Sequence, residues 1–228
     1  WRRQFWRGRS IRRLVMKNMS KAKRFFTEEE EERITETTRD VETRTIGEVA
    51  VMVVGSSSQY VEAEILGGIF LGSLLSLIMT ALYFNSSVWS FIPVSLVLFL
   101  PSRFLFRKFP VLKISFIGFG RKEETVRQRA VRAFYDKGLY KTRKNTGVLF
   151  FISILERKVW VLADKGIYEK IEQETLNKFA ITVSQGIKEG RACDSLCDAI
   201  REAGELLAKH FPVTPGDTDE LSNKVMTE

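Results

Sequence analysis

ILGGIFLGSLLSLIMTALYF, residues 65–84, is a run of twenty residues without a charge. As a helix it would be about 30 Å long, which matches the hydrocarbon core of a bilayer. A second apolar run, VWSFIPVSLVLFL at residues 88–100, follows the polar turn at residues 85–87. Two such runs in tandem predict a transmembrane helical hairpin with spans at about residues 65–84 and 88–106.

Two other structures are compatible with these runs. A pair of fully buried core helices would have the same apolar composition. The second run has only thirteen residues before Pro101, and it reaches spanning length only if Arg103 snorkels to the interface. A re-entrant hairpin that does not cross the bilayer therefore remains open.

Small side chains recur every four residues in the first run, at Gly68, Gly72, Ser76 and Thr80. Such a stripe lies along one helix face and lets another helix approach closely. We expect Gly68, Gly72 and Ser76 to pack against the second helix of the hairpin. The alternative partner is a second copy of the chain, which would make a homo-oligomer.

The charges that flank the hairpin predict its orientation. Arg103, Arg107 and Lys108 follow the second run, whereas the turn carries no charge. The positive-inside rule then places both termini and the soluble domain in the cytoplasm. We therefore expect an integral protein of an inner or plasma membrane, with these three residues in contact with anionic lipids.

The basic charge of the chain is concentrated at its start. Residues 1–24 contain ten Lys or Arg and no acid, so a total of +8 leaves a net charge of −2 on the remainder. Because a nucleic-acid-binding domain carries its basic patch on the fold, no nucleic-acid partner is expected. Arg2, Arg3 and Trp6 are typical of an interfacial helix on an anionic leaflet. The alternative is an extension ahead of a natural start at Met19.

Outside the hairpin the sequence predicts the helices and strands of one α/β domain. Thr27 and Glu30 form a capping-box pattern, which predicts a helix that runs to about Arg44. Apolar periodicity predicts a helix at about residues 123–137 and two more before Pro212. Runs rich in β-branched and aromatic residues predict three strands, at residues 47–54, 147–153 and 158–163, the last two as an antiparallel pair.

These elements divide the chain into four parts. The predicted boundaries are a basic aromatic arm at residues 1–24, a discontinuous α/β domain at residues 25–55 and 121–211, the hairpin with its linkers at residues 56–120, and a polar tail at residues 212–228. The soluble part is long enough to bury a single core.

Several kinds of chemistry are disfavoured by composition. The single histidine, His210, excludes multi-histidine metal sites and argues against a Ser/His/Asp triad. Cys193 and Cys197 are four residues apart on an apolar helix face, and they are interpreted as reduced core thiols in preference to a redox or metal pair.

Polar residues at the predicted strand ends are the remaining candidates for a site. If the first two strands are parallel, Glu48, Asn145 and Asp164 gather at one edge of the sheet, away from the membrane. Two carboxylates and an amide oxygen would suit a hard cation such as Ca²⁺ or Mg²⁺. Equally, each could be a solvated strand-end residue.

Four stretches of the predicted domain carry a family resemblance: RTIGEVAVMVV (44–54), AVRAFYDKGL (130–139), NTGVLFFIS (145–153) and ERKVWVLADKGI (156–167). They resemble the TPM domain family, whose members include a thylakoid-lumen acid phosphatase linked to photosystem repair and an auxiliary protein of an acetylcholine receptor. The resemblance implies a three-layer α/β/α sandwich with a small mixed sheet, here with an inserted transmembrane hairpin.

Two functions follow from the resemblance together with the residues. The first is a non-catalytic accessory or scaffold module on a membrane complex, with a membrane protein as partner. The second is a divalent-cation-dependent acid phosphatase or related hydrolase, in which Glu48 and Asp164 hold the metal and the metal activates water.

Overall fold

The computed structural model describes residues 22–83, 88–142, 144–213 and 222–228. The chain divides into two compact units. The α/β unit is made from the chain up to Ser57 and from Val126 onward, and the hairpin unit is Ser58–Thr125. The predicted turn at residues 85–87 and the arm residues Arg2, Arg3 and Trp6 lie outside the described residues.

The described helices and strands follow one another in a mixed order along the chain. The α-helices are α1 Glu28–Glu42, α2 Val61–Tyr83, α3 Val88–Lys108, α4 Pro110–Ile114, α5 Phe119–Asp136, α6 Lys165–Tyr168, α7 Gln173–Lys188 and α8 Ala192–His210. The strands are β1 Glu48–Val54, β2 Gly147–Ser153, β3 Lys158–Ala163 and β4 Met226–Thr227. Short 3-10 turns lie at Ala22–Arg24 and Leu139–Lys141.

The start of α1 confirms the predicted capping box. The Glu30 backbone N–H donates to Thr27 Oγ1 at 3.2 Å, and the Thr27 N–H donates to the Glu30 carboxylate at 2.8 Å. The acids of the first turn also favour the positive end of the helix dipole. Ile34 and Val41 then place the apolar face of the helix in the core.

The sheet is mixed, with the strand order β3-β2-β1-β4. β1 and β2 pair in parallel from Glu48 opposite Gly147 to Val54 opposite Ser153. β2 and β3 are antiparallel, as predicted. The predicted bounds of β2 and β3 are confirmed, because the turn residues between them interrupt two unambiguous apolar runs.

The prediction of a polar tail is wrong for its last residues. Met226 and Thr227 pair in parallel with Met52 and Val53, and thereby form β4, the edge strand next to β1. The Glu228 backbone N–H donates to the Val53 carbonyl at 3.0 Å. A two-residue strand is too short to show the alternation by which strands are recognised in a sequence.

Helices cover both faces of the sheet, which confirms the three-layer α/β/α class. β1 is buried along its whole length, since alternate residues face opposite layers. One face packs with α1, α7 and α8, through a core that includes Val51, Phe150 and Leu196. The other face packs with α5, through Met52 and Phe151. The face predicted for α5 is buried, at Val126, Ala130, Ala133 and Phe134.

Both thiols belong to the larger core, as the core-thiol interpretation expects. Cys193 and Cys197 are free and buried. Burial, and next the neighbouring Cys197, raise the pKa of the Cys193 thiol to about 12. Cys193 is therefore protonated, and a poor nucleophile, at neutral pH.

In the hairpin unit, α2 and α3 are two antiparallel helices of 23 and 21 residues. Both are long and apolar enough to span a membrane. α2 begins at Val61, before the uncharged run, and α3 continues through Pro93 and Pro101 to Lys108. Pro101 is thus not an end point, because prolines are tolerated within helices of this apolar type.

Candidate functional site

The small-residue stripe of α2 faces α3 of the same chain. A Cβ atom on Gly68 would stand 3.1 Å from Arg103 Cα, and one on Gly72 would stand 3.1 Å from the Phe99 backbone. The Ser76 hydroxyl donates a 2.9 Å hydrogen bond to the Phe91 carbonyl. Because α3 covers it, the stripe is not open to a second copy of the chain.

A buried ion pair lies at one end of the hairpin unit. Lys113 Nζ stands 3.2 Å from Glu64 Oε2 and donates to the Gln59 carbonyl at 3.1 Å. Glu64 is 6% exposed and Lys113 is 7% exposed. Arg103 Nε lies 3.6 Å from the other Glu64 oxygen. The single carboxylate of Glu64 thus lies close to two cations, Lys113 and Arg103.

This ion pair is the feature that sequence reasoning missed. The sequence predicts that Arg103 contacts lipid, and in the structure its guanidinium also neighbours Glu64. Arg107 and Lys108 are exposed at the end of α3, and their contact with headgroups stays a prediction. The signal in the sequence was Glu64 itself, an acid that immediately precedes an uncharged run.

The outer surfaces of α2 and α3 are apolar and exposed. Phe70 and Leu77 on α2 are about three-fifths exposed, at 61% and 60%. On α3, Trp89, Leu96 and Leu100 are exposed to a still greater extent. An exposed apolar surface of this kind marks a site of contact with a membrane or with another protein.

Glu48, Asn145 and Asp164, which are predicted to bind a cation, lie at the same end of the sheet. They are found at the start of β1, before β2 and after β3. Glu48 stands opposite Gly147, and the Asp164 backbone N–H donates to the Gly147 carbonyl at 2.9 Å. Asn145 precedes β2, with a left-handed φ of 55°. Its carbonyl accepts from Gly166 N–H at 3.1 Å. The parallel pairing of β1 and β2 is what makes this juxtaposition.

The Asp164 carboxylate is only half satisfied by the described residues. Its Oδ1 accepts from the Lys165 backbone N–H at 2.7 Å and caps α6. Its Oδ2 is buried and has no hydrogen-bond partner in the described part of the chain. The described residues hold no group of three or more His, Cys, Asp or Glu side chains arranged for a metal. A cation here would therefore also need the Asn145 oxygen.

The chain after β3 passes so close to the start of β2 that only glycine fits at position 166. A Cβ at this position would stand 2.7 Å from the carbonyl oxygens of Asn145 and Lys144. Any larger residue would push the turn away from Asn145. The short sequence Asp164-Lys165-Gly166 thus holds the carboxylate beside the start of β2.

The opposite end of the sheet carries a polar network that the sequence did not predict. Glu156 is buried, and its Oε1 accepts from the Ser57 backbone N–H at 3.0 Å. Ser153 Oγ donates to the other carboxylate oxygen and accepts from Ser57 Oγ at 2.8 Å. The network fixes the segment after β1 to the turn between β2 and β3.

The mixed sheet, with one helix on one face and three on the other, defines a three-layer α/β/α domain, here interrupted by a helical hairpin. Residues 115–206 match the family model of the TPM domain. This match confirms the resemblance to the TPM domain family over three of the four stretches quoted for it, those from residue 130 onward.

One solved structure is similar along almost the whole chain. The NMR structure of the BA42 protein from the psychrophilic bacterium Bizionia argentinensis is 22% identical and superposes with a TM-score of 0.58. The match covers 92% of this chain and 100% of that chain. At this identity the similarity shows the fold alone. No curated protein matches the chain.

Proposed function

We propose that this chain is a membrane-anchored TPM-domain protein that serves as a non-catalytic accessory or scaffold module on a membrane complex. The observation that carries the proposal is the exposed apolar surface of α2 and α3. A bilayer would cover such a surface, and two helices of 23 and 21 residues match its thickness.

The interior of the hairpin supports the same proposal. Within a bilayer, polar side chains are stable where another helix satisfies them. Ser76 donates to α3, and Glu64 pairs with Lys113. The exposed Arg107 and Lys108 would then lie at an interface, where anionic headgroups attract them. With the positive-inside rule, this arrangement supports a cytoplasmic α/β unit.

The electrostatics of the α/β unit favour an accessory role. Hydrogen bonding to Arg191 lowers the pKa of Glu189, and hydrogen bonding to Lys137 lowers the pKa of Glu228. These perturbed carboxylates belong to separate ion pairs on the surface. Catalytic sites instead concentrate perturbed groups in one cleft.

Membrane extraction and cysteine labelling test this proposal. Membranes that contain the full chain are washed at alkaline pH, and the chain should stay in the pellet. Ser86→Cys and Lys209→Cys variants are then treated with a membrane-impermeant maleimide. Residue 209 should be labelled only from the cytoplasmic side and residue 86 only from the other. Release by the wash, or labelling of both positions from one side, would refute a spanning hairpin.

A cation-dependent hydrolase is the second candidate, and the half-satisfied Asp164 carboxylate favours it. Its buried Oδ2 could bind Ca²⁺ or Mg²⁺, and Glu48 and Asn145 could supply further oxygen ligands. A bound cation would lower the pKa of a coordinated water and supply the nucleophile. This chain's contribution would be to hold the three oxygens at one sheet edge.

Phosphomonoester hydrolysis distinguishes the two candidates. The full chain is assayed with added Ca²⁺ or Mg²⁺, with chelator, and as Asp164→Asn, which keeps an acceptor that can cap α6. Asp198→Asn, at an exposed position on α8, is the matched control. Activity lost with chelator and with Asp164→Asn alone would establish the hydrolase. Equal rates for all samples would leave the accessory role.

A further inference from the structure

The α/β unit contains a groove of about 490 Å³ between the β2–β3 turn and α7. This volume falls within the range of small-molecule sites, about 300–1,000 Å³. The groove lies at the carboxyl end of β2. It is therefore at the opposite end of that strand from Asn145 and Asp164, and it is distinct from the candidate cation site.

The lining of the groove divides into an apolar wall and a cationic rim. The half-buried side chains of Phe25, Ile154 and Ile187 contribute to the wall. The rim is formed by three basic residues, Arg157 of the β2–β3 turn, Lys158 of β3 and Lys188 of α7, and the described lining contains no acid. An apolar cavity with a few convergent charges is the usual form of a site for a ligand with one charged end.

The acid next to Arg157 has hydrogen-bond partners of its own. Glu156 precedes Arg157, but its carboxylate is buried and accepts from Ser57 and Ser153. In the described part of the chain, Arg157 and Lys188 make no ion pair. Their positive charges are therefore available to an anion from solution.

The backbone at Arg157 is set by the turn between β2 and β3. Arg157 has a φ of +53°, and its backbone N–H donates to the Ile154 carbonyl at 3.3 Å. A left-handed residue is common at the end of such a hairpin turn. The turn thereby fixes the backbone position from which the arginine side chain reaches the groove.

We propose that this groove binds an anionic amphiphile, a molecule with one anionic headgroup on an apolar chain. The headgroup pairs with the guanidinium of Arg157 and the ammonium group of Lys188. The apolar chain lies against the phenylalanine and isoleucine side chains of the wall. A membrane lipid and a free long-chain acid share this chemistry.

Octanoate is the probe, titrated into the full chain in nanodiscs of zwitterionic lipid, with empty nanodiscs subtracted. Each buried methylene favours binding about fourfold, so octanoate should bind at least tenfold more tightly than acetate. Octanol, which lacks the charge, should bind more weakly than octanoate. Equal affinities for octanoate and acetate would overturn the proposal.

Charge variants locate the site. Arg157→Asn keeps a residue that tolerates a positive φ, and Lys188→Gln changes the last residue of α7. Each should weaken octanoate binding by about threefold to fivefold, as expected for exposed charges. Lys178→Gln, on the same helix but outside the groove, is the matched control. If all three variants bind like the unmodified chain while their circular dichroism is unchanged, the groove is not the site.

A repeat of the titration in nanodiscs that contain anionic phospholipid identifies the source of the ligand. Competition with octanoate would indicate a lipid headgroup. An unchanged dissociation constant would indicate a soluble amphiphile.

Discussion

The two units of this chain distribute their side chains in opposite ways. In the α/β unit the large apolar side chains, such as Phe150 and Leu196, are fully buried. In the hairpin unit the large apolar side chains, such as Phe70 and Leu77, are exposed, whereas Gly72 and the charged pair of Glu64 and Lys113 are inside. The same chain therefore follows two rules of burial.

The difference teaches that burial must be judged against the solvent of each unit. Water drives large apolar side chains inward, at about 25 cal/mol per Å² of apolar surface. A bilayer supplies no such force between helices, so close approach through small residues and internal polar contacts holds them together. An amphipathic period marks the helices of the α/β unit, and a stripe of small residues marks α2.

Matched truncations in the two units give the largest expected contrast. Phe150→Ala removes a fully buried ring from the core and should cost about 3–5 kcal/mol in the free energy of unfolding. Phe70→Ala, at a ring that is 61% exposed, should cost less than about 1 kcal/mol. Denaturant unfolding of each variant in detergent measures both. Similar losses at the two positions would contradict the conclusion that large apolar side chains are buried in the α/β unit and exposed in the hairpin unit.

The buried ion pair gives the next largest effect. Lys113→Met leaves the Glu64 carboxylate buried without its closest cation, at a cost of about 3 kcal/mol or more. The double variant Glu64→Gln/Lys113→Met removes both charges and should recover most of that loss. Thermal unfolding of the hairpin in detergent measures the three states. A double variant less stable than Lys113→Met would show that the pair is not coupled.

The helix contact in the hairpin predicts an intermediate effect. Gly72→Val places its Cβ 3.1 Å from the Phe99 backbone, so α2 and α3 must separate, at a cost of about 1–3 kcal/mol. Leu77→Val, on the outer face of the same helix, is the control and should be nearly neutral. Cross-linking between cysteines on the two helices reports their separation. Equal cross-linking in both variants would argue against close packing at Gly72.

The edge strand β4 predicts the smallest effect, which depends on pH. Lys137, by hydrogen bonding, and Arg129 hold the pKa of Glu228 below its ordinary value. Because the unfolded chain then binds the proton more readily, the stabilisation is present at neutral pH and is lost as pH falls below about 4.3.

Glu228→Gln tests this linkage. Its melting temperature should lie slightly below that of the unmodified chain at pH 7, and the difference should vanish near pH 3. A difference that persists at acid pH would assign the effect to packing of β4.

Sequence patterns predicted the structure where a segment carries a clear local signal, either a capping box or a run of apolar residues. The capping box at Thr27, the strands β2 and β3, and the buried face of α5 all appear where the sequence predicted them. The parallel pairing that brings Glu48, Asn145 and Asp164 to one edge also follows from the order of the elements.

What sequence could not show depends on contacts between distant residues. The pairing of β4 with β1 rests on a two-residue strand. The pair Glu64–Lys113 joins residues far apart in the chain, each of which looks like an ordinary flanking charge. The groove at Arg157 needs the backbone conformation of a turn together with a lysine from α7. No local periodicity encodes any of these.

The claim that the exposed apolar surface of the hairpin faces lipid is tested most directly by solvent accessibility at two similarly exposed apolar positions, one in each unit. Spin labels are attached to Leu77→Cys on α2 and Ile181→Cys on α7, which are 60% and 63% exposed. The native thiols are buried, and the unmodified chain controls for their labelling. In lipid vesicles the label at residue 77 should relax with oxygen and not with a water-soluble nickel chelate, and that at residue 181 should show the reverse. Equal access of the nickel chelate to both labels would contradict a hairpin that faces lipid.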